Sequence, residues 1–593
     1  MKNIISFCLK IILNIILVYI IILLFPISVL SQKIYSVEEA ESIFYPISDD
    51  YKMQIKNAIP KIASVQPDQQ KKLLVFNLHV SKDRKPLVGH YSIPYANYAI
   101  LLMGETTGAY ETFFSNDTLV FQPQILDQFD AICFNNTGGV LFDDDELRMN
   151  ILDYVYGGKG FIGIHAAAAT FVQWPVYDQF PAFGIMLGGY ENGGHPWKEN
   201  EWITIRVDEP DHPVNKTIGY HSFEISDEVF QFSEPYSRDL VRVLMSIDIS
   251  KTDTSYNRRI LPERRADWDL AMSWIKSYGR GRVYYSSFGD NPHINWDTRI
   301  LNHYLAGIQF VLGDLKAPTT PNNLLTPANR ALEKSGWTFG LAAYTYKDQT
   351  LMETIEQANT LGLKHLEAYF NQNVSTDIQK QFGAELSHDE LLIIRDKLIQ
   401  TGTYITNYYI HDFPSSDAGC KKLFDFGRKM GITTFVSVPN PKDLDLIEKY
   451  CKEYNIRLAI YNYDKKLSPR YWQPEGILKV CDGRSSLIGA SGDIGYWIRS
   501  GINPIEAIEK LDDRLMLLHI HDLDRLDKDG QDVAWGEGKV DLKSILQAIE
   551  TKSYSDMAII LEFAYNGSKS FPEILKSIDF FNRWIVDNTR DQD

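Results

Sequence analysis

Near the ends of three short apolar runs in the second half of the chain stand Asp493, His519 and Glu562, in LIGASGD, LMLLHIHD and AIILEFAY. Two carboxylates and an imidazole are the oxygen and nitrogen donors that a divalent ion such as Mn, Co, Zn or Mg accepts. An ion held there would polarise a carbonyl and its neighbouring hydroxyl, so that a side-chain base can take the adjacent carbon-bound proton. Isomerisation, epimerisation and elimination share that first step. His521, two residues beyond His519, is the candidate base, or alternatively a further ligand. Tyr461, Tyr463 and Tyr496 are either rim packing or an aromatic, hydrogen-bonding sugar subsite, and Trp472 and Trp497 are rings that could border a sugar. The bland alternative for each acid is a strand-end carboxylate neutralised by Arg484 or Arg499.

The first half offers a second set. His165 directly follows the apolar run GFIGI and precedes a small-residue turn, the position at which open α/β sheets present reactive side chains. His195 in GGHPW, His212 in DHP and Glu228 beside Asp227 complete a group able to move protons, since an imidazole next to a carboxylate titrates near neutral pH. His165, His212 and Glu228 are the candidate catalytic residues and His195 a substrate contact. His79 and His90, flanking the first strand, are weaker pocket candidates, and His303 reads as a structural, hydrogen-bonded residue.

The elements that must position these residues are legible as periodicity. From residue 336 to 588, eight short apolar runs alternate with amphipathic stretches, the signature of a closed (β/α)8 barrel. Chemistry in such barrels sits at the C-terminal strand ends, which here carry Glu367, Asn407, Asn462, Asp493, His519, His521 and Glu562. Across 71–314 the runs LLVFNLHV, AICFNN, GFIGIHAA, WITIRVD, VRVLMSI and GRVYYSSFG predict an α/β domain with an open, mostly parallel sheet. Residues 32–70 read as a helical preamble. Residues 315–335, with Pro318, Pro321 and Pro327 among Thr and Asn, have linker composition. A chain of 593 residues exceeds one hydrophobic core, and 44% apolar with 23% charged residues is globular composition, so two domains are expected.

Residues 1–31 place Lys2 and Lys10 beside an apolar stretch from Ile11 to Leu30, which predicts a signal peptide and export to periplasm or exterior. The alternative is an uncleaved membrane anchor, the one membrane association expected. The formal charge of −17 grows more negative once those two lysines leave, which disfavours nucleic acid as a partner. Cys133, Cys420, Cys451 and Cys481 stand singly in apolar patterns and read as core residues. Nothing in the sequence sets the oligomeric state.

Five blocks carry a resemblance over the barrel: ANTLGLKHLEAY, the stretch from YWQPEGILKV to PIEAIEKL, RLMLLHIHDL, DVAWGEGKVDLKSIL and ILEFAYN. They resemble the xylose-isomerase-like sugar phosphate isomerase/epimerase superfamily, which implies metal ligands at Asp493, His519 and Glu562. Where those relatives show His-Asn-His this chain has Tyr461-Asn462-Tyr463, and Tyr496 replaces the His of Asp-x-Gly-His. Phenols, with pKa near 10, are poor ligands, so at most three protein ligands remain. GKGFIGIHAAAATFVQWPVYDQF and GRGRVYYSSFGDNPH resemble the ThuA-like (trehalose utilisation) family, similar in fold to class I glutamine amidotransferases. The amidotransferase cysteine is missing at Gly163-Ile164-His165, and Asp290 stands where relatives have His. Together the resemblances imply an exported enzyme acting on keto-sugars or glycosides, isomerase/epimerase or lyase, with 3-keto-glycosides as one substrate class. The competing reading is a sugar-binding protein whose barrel has lost catalysis. An apurinic-site endonuclease would need more His ligands and a basic groove.

Overall fold

The fold is that of a computed structural model, which describes residues 34–589 apart from 36, 84, 174–179, 192–194, 199, 256–265, 553, 555 and 565–569. The expected signal, 1–31, lies outside the described residues. Among the described residues no helix is long and apolar enough to cross a membrane.

Nine strands form the open sheet of the first half: β1 (Lys72–Phe76), β2 (Glu111–Ser115), β3 (Ala131–Asn135), β4 (Gly160–Ile164), β5 (Trp202–Val207), β6 (Ser222–Ser226), β7 (Arg242–Ile247), β8 (Ala271–Tyr278) and β9 (Gly281–Ser286). Their order is β2-β1-β3-β4-β9-β8-β7-β5-β6. From β2 to β9 the pairing is parallel, and β3 and β4 are buried throughout, as strands covered on both faces must be. Beyond β9 every pairing is antiparallel. The mostly parallel sheet expected from the sequence is thus the half that carries His165. The reversal begins at the two-residue turn Gly279-Arg280, where Gly279 has φ +59°, and so short a loop can join only antiparallel neighbours.

Two helices, Val37–Phe44 and Asp49–Ala58, precede β1 and pack on this domain through the buried side chains of Phe44 and Ile55. Helix Thr298–Leu312 begins under an Asp297 cap and ends at left-handed Gly313. Its buried face includes Tyr304, whose hydroxyl donates to Phe288 O at 2.7 Å and so steadies the chain leaving β9.

The second half closes into a barrel of eight parallel strands: β10 (Thr338–Ala342), β11 (His365–Tyr369), β12 (Tyr404–Ile410), β13 (Thr434–Ser437), β14 (Arg457–Tyr461), β15 (Ile488–Asp493), β16 (Leu515–Ile520) and β17 (Ala558–Leu561). Helices following β10 and β11 start with complete capping boxes, Thr350 with Glu353 and Ser387 with Glu390. The core is apolar between strands and helices, while the barrel interior is a small cluster that includes Ala342, Val436, Ala459 and Met516 beneath Tyr461.

Within 315–335 the residues Pro327–Ser335 form a helix that packs on the last helix, Phe571–Thr589, and Asn322 Oδ1 accepts from Val243 N at 2.7 Å. The halves also meet directly. Arg395, on helix His388–Thr401, pairs with Asp153 and lies 4.0 Å from the Tyr156 ring centroid, and Arg280 donates to Asn455 O at 2.6 Å. The four described cysteines are buried and free.

Candidate functional site

At the C-terminal mouth of the barrel, Asp493 closes β15 and caps the helix that follows, its Oδ1 accepting from Tyr496 N at 2.8 Å. Asn462, just after β14, fixes the Asp493 backbone by accepting from its N–H at 2.6 Å and donating to its carbonyl at 3.1 Å. Asp493 Oδ2 then accepts from the Tyr461 hydroxyl at 2.6 Å and faces His521 Nε2 at 3.4 Å. His521 is held from behind by Asp532, whose Oδ1 lies 2.9 Å from Nδ1. His519, two residues deeper on the same strand face, has Nε2 2.8 Å from Glu367 Oε1 and 3.9 Å from Glu562 Oε2. All five ionisable groups, Glu367 included, are buried.

Burial alone would raise both site carboxyls, and the neighbours then separate them. At Asp493 the facing His521 and His519 and the Tyr461 hydrogen bond outweigh burial and hold it well below the usual carboxylate range. At Glu562 burial dominates over the same imidazoles and pushes the group up to about 7. Burial pulls His519 down, but Glu367, Glu562 and Asp493 more than offset it, to about 9. His521 likewise rises well above its ordinary value because Asp493 and Asp532 flank it against the pull of burial. The mouth therefore holds an ionised acid beside one that exchanges its proton near neutrality.

Tyrosines wall the mouth. The Tyr461 and Tyr463 rings meet edge-on at 4.9 Å, Tyr463 and Tyr496 at 5.3 Å, and the Tyr409 and Tyr463 hydroxyls lie 2.5 Å apart.

The open sheet presents a second cluster at the ends of its parallel strands. His165, left-handed at φ +47°, is wholly buried. Its Nδ1 lies 2.7 Å from Ser287 O, and its Nε2 is 3.4 Å from Glu228 Oε2 and 3.7 Å from Asp290 Oδ1. His90 Nδ1 approaches Asp290 Oδ1 to 2.8 Å, and His195 Nδ1 approaches Glu228 Oε1 to 3.2 Å. Asp227 accepts from Gly289 N and Asn291 N at 2.7 and 3.0 Å, which fixes the loop that aims Asp290. Burial raises Asp227 to about 6. Burial lowers His165, but Glu228, Asp227 and Asp290 together leave it raised.

Comparison with known proteins divides the chain at the same place. Residues 78–311 match the family described as trehalose utilisation (ThuA), and residues 355–584 match the xylose isomerase-like TIM barrel. The chain joins a ThuA-like domain to a xylose isomerase-like barrel. Among solved structures, an uncharacterised protein of Parabacteroides distasonis shares 27% identity, covering 42% of this chain and 99% of its own, with TM-score 0.36. A sugar phosphate isomerase/epimerase of the same organism shares 17% over 42% of this chain and 94% of its own, with TM-score 0.32. A D-psicose 3-epimerase solved with D-fructose shares 14% over 43% and 97%, with TM-score 0.33. No curated protein matches the chain.

Of the residues singled out in the barrel, the structure brings together Asp493, His519, His521, Glu562, Tyr461, Tyr463 and Tyr496. The ligand trio differs from the expected one: ligand atoms of Asp493, His521 and Glu562 lie within 4.8 Å of one another, whereas His519 is engaged by Glu367 one layer below. His521 does not suit the role of base, because flanking acids hold it as an imidazolium without a free lone pair. The arginine alternative is not realised either, since Arg484 pairs with Glu448 and Asp445, and Arg499 pairs with Asp532. Trp497 is fully buried in the core behind β15 and offers no face to a sugar. Trp472 lies under the Lys465 ammonium at 4.9 Å, apart from the tyrosine wall.

In the ThuA-like domain His165, His195 and Glu228 meet, and His212 does not. Its Nε2 binds Pro318 O at 3.0 Å, its Nδ1 accepts from Val214 N at 3.3 Å, and burial lowers its pKa to about 4, so it is a neutral structural residue. Sequence reasoning assigned no role to Glu367, Asp532 or Asp290. Asp532 lies in a two-residue strand, Asp532–Val533, paired with Asp522–Leu523 and too short to carry a periodic signal, and Asp290 looked like a lost histidine.

Proposed function

We propose that the barrel moves a proton on the carbon beside a carbonyl of a keto-sugar or keto-glycoside, as an isomerase, epimerase or lyase of an exported protein. The observation that carries this reading is Glu562: a buried carboxyl at the barrel mouth, 3.9 Å from His519 and within 4.8 Å of the ligand atoms of Asp493 and His521.

The donor set suits a divalent ion. Asp493, His521 and Glu562 would hold it, because the buried His521 Nε2 has no hydrogen-bond partner of good geometry while Asp532 orients the ring through Nδ1. The ion would take the place of the proton that His521 otherwise carries. When bound, it supplies polarisation of the carbonyl and its neighbouring hydroxyl. Glu562 takes or returns the carbon-bound proton at a carboxylate oxygen, and His519, fixed by Glu367, stabilises the negative charge with its positive ring. Tyr461, Tyr463 and Tyr496 offer hydroxyls and ring faces to the sugar and keep water from the reacting carbon. Ketoses and 3-keto-glycosides both meet this scheme, since a carbonyl one carbon from a sugar hydrogen is what the site needs.

The full protein, with and without Mn or Zn, should exchange the α-proton of one member of a panel of ketoses and 3-keto-glycosides for solvent deuterium, followed by NMR. Glu562→Gln should slow that exchange about 100-fold or more. No exchange across the panel, or an unaltered rate in the variant, would overturn the reading. Export predicts that the mature chain begins near Gln32, which mass spectrometry of the secreted protein reads directly.

A further inference from the structure

We propose that the ThuA-like domain is itself a metal site: His90, His165 and Asp290 bind a divalent ion of the zinc or manganese class, with Glu228 beside them. Ligand atoms of the first three lie within 4.8 Å of one another.

His165 sets the geometry of this site. Ser287 O can only accept, so the ring carries its proton on Nδ1 and, when neutral, turns the Nε2 lone pair inward. That nitrogen is fully buried and makes no hydrogen bond, yet it faces two carboxylates, Glu228 and Asp290, which are acceptors as well. Among the described residues neither acid has a Lys or Arg partner. Glu228 is buried and Asp290 half-buried with His90 Nδ1 at 2.8 Å, and the inward lone pair beside these two carboxylates favours a cation between them.

A proton on Nε2 would meet that need with bonds of about 2.7–2.9 Å. The separations are 3.4 and 3.7 Å, too long for such bonds. Donors around a tetrahedral ion with bonds of about 2.1 Å stand about 3.4 Å apart, so the spacing about His165 Nε2 fits an ion better than a proton, and the 2.8 Å contact of His90 Nδ1 with Asp290 Oδ1 opens as the ion enters. The frame is built to hold it. Asp227 clamps the loop that carries Asp290, and a Cβ at Gly289, where φ is +132°, would press Ile164 Cγ2 at 3.0 Å. His90 and His195 are partly exposed, so the side toward them leaves a coordination position open to water or to a sugar hydroxyl.

The test uses the full chain carrying Asp493→Asn and Glu562→Gln, so that the barrel contributes no ion whatever its own chemistry. Dialysis against Zn or Mn followed by elemental analysis should find about one ion per chain. Adding His90→Gln and Asp290→Asn should weaken binding about 100-fold, while Asp290→His, which keeps a ligand atom, should retain the ion. With Co as the probe, visible absorption should appear in the first and third chains and vanish in the second. No bound ion in the barrel-disabled chain, or equal binding after His90 and Asp290 are replaced in a chain of unchanged circular dichroism, would overturn the proposal.

Discussion

Asp493 and Glu562 show how far neighbours, and not residue type, set a side chain's chemistry. Both are strand-end acids buried in one barrel mouth, yet one is held ionised by two imidazoles and a phenol while the other protonates near neutrality. The same logic run in reverse explains His212, a neutral imidazole fixed by Pro318 O and Val214 N. Its pKa falls from 6.5 to about 4 on folding, so the folded chain binds fewer protons than the unfolded one in that window. The stability it contributes is present above pH 6.5 and lost as pH drops through 4, on the order of 3 kcal/mol. His212→Gln should therefore lie below wild type in denaturation midpoint at pH 7.5 and close that gap by pH 4.5. A gap that widens with acid would contradict the assignment.

At the scale of elements, strands signal themselves when their apolar runs are unbroken. β3 and β4 in the sheet and β17 in the barrel are legible in the sequence for that reason. β2 and β6 were missed because they are edge strands with mixed burial, and β8 because Ser273 and Lys276 interrupt it. Lys276 is tolerated there by donating to Ile185 O at 2.7 Å, a partner no local pattern announces. Close packing also fixes where a site residue points. A Cβ on Gly492 would stand 2.5 Å from Trp497 Cη2 and 2.6 Å from Leu518 Cδ2. Gly492→Ala should cost about 1–3 kcal/mol through overpacking, read as a lower urea midpoint. An unchanged midpoint would mean the strand can move away, taking Asp493 with it.

For the whole molecule, the two halves are joined by more than their connecting chain. Arg395, almost fully buried, reaches from the barrel to Asp153 and Tyr156, and Arg280 reaches back to the carbonyl of Asn455. Arg242 pairs with Glu333 on the connecting helix. Buried guanidinium groups satisfied across an interface hold one geometry, and removing such a partner costs about 3 kcal/mol. Calorimetry should accordingly show one main transition in the wild type, and Arg395→Ala should split it into two, one for each half. A single transition of unchanged midpoint in the variant would show that the domains are not coupled through this contact.

The sequence by itself determined both architectures and most of the barrel mouth, because hydrophobic period fixes elements and strand-end position fixes which polar residues converge. Asp493, His519, His521 and Glu562 could be named from that rule alone. Only the tertiary structure decided their partners: Glu367 claims His519 from across the barrel, Asp532 arrives from the short strand Asp532–Val533 to hold His521, and Trp497 turns into the core. It also turned Asp290 from a missing histidine into a carboxylate facing His90 and His165, residues that lie far apart in the chain. Such pairings depend on distances between elements, and local pattern carries no information about them.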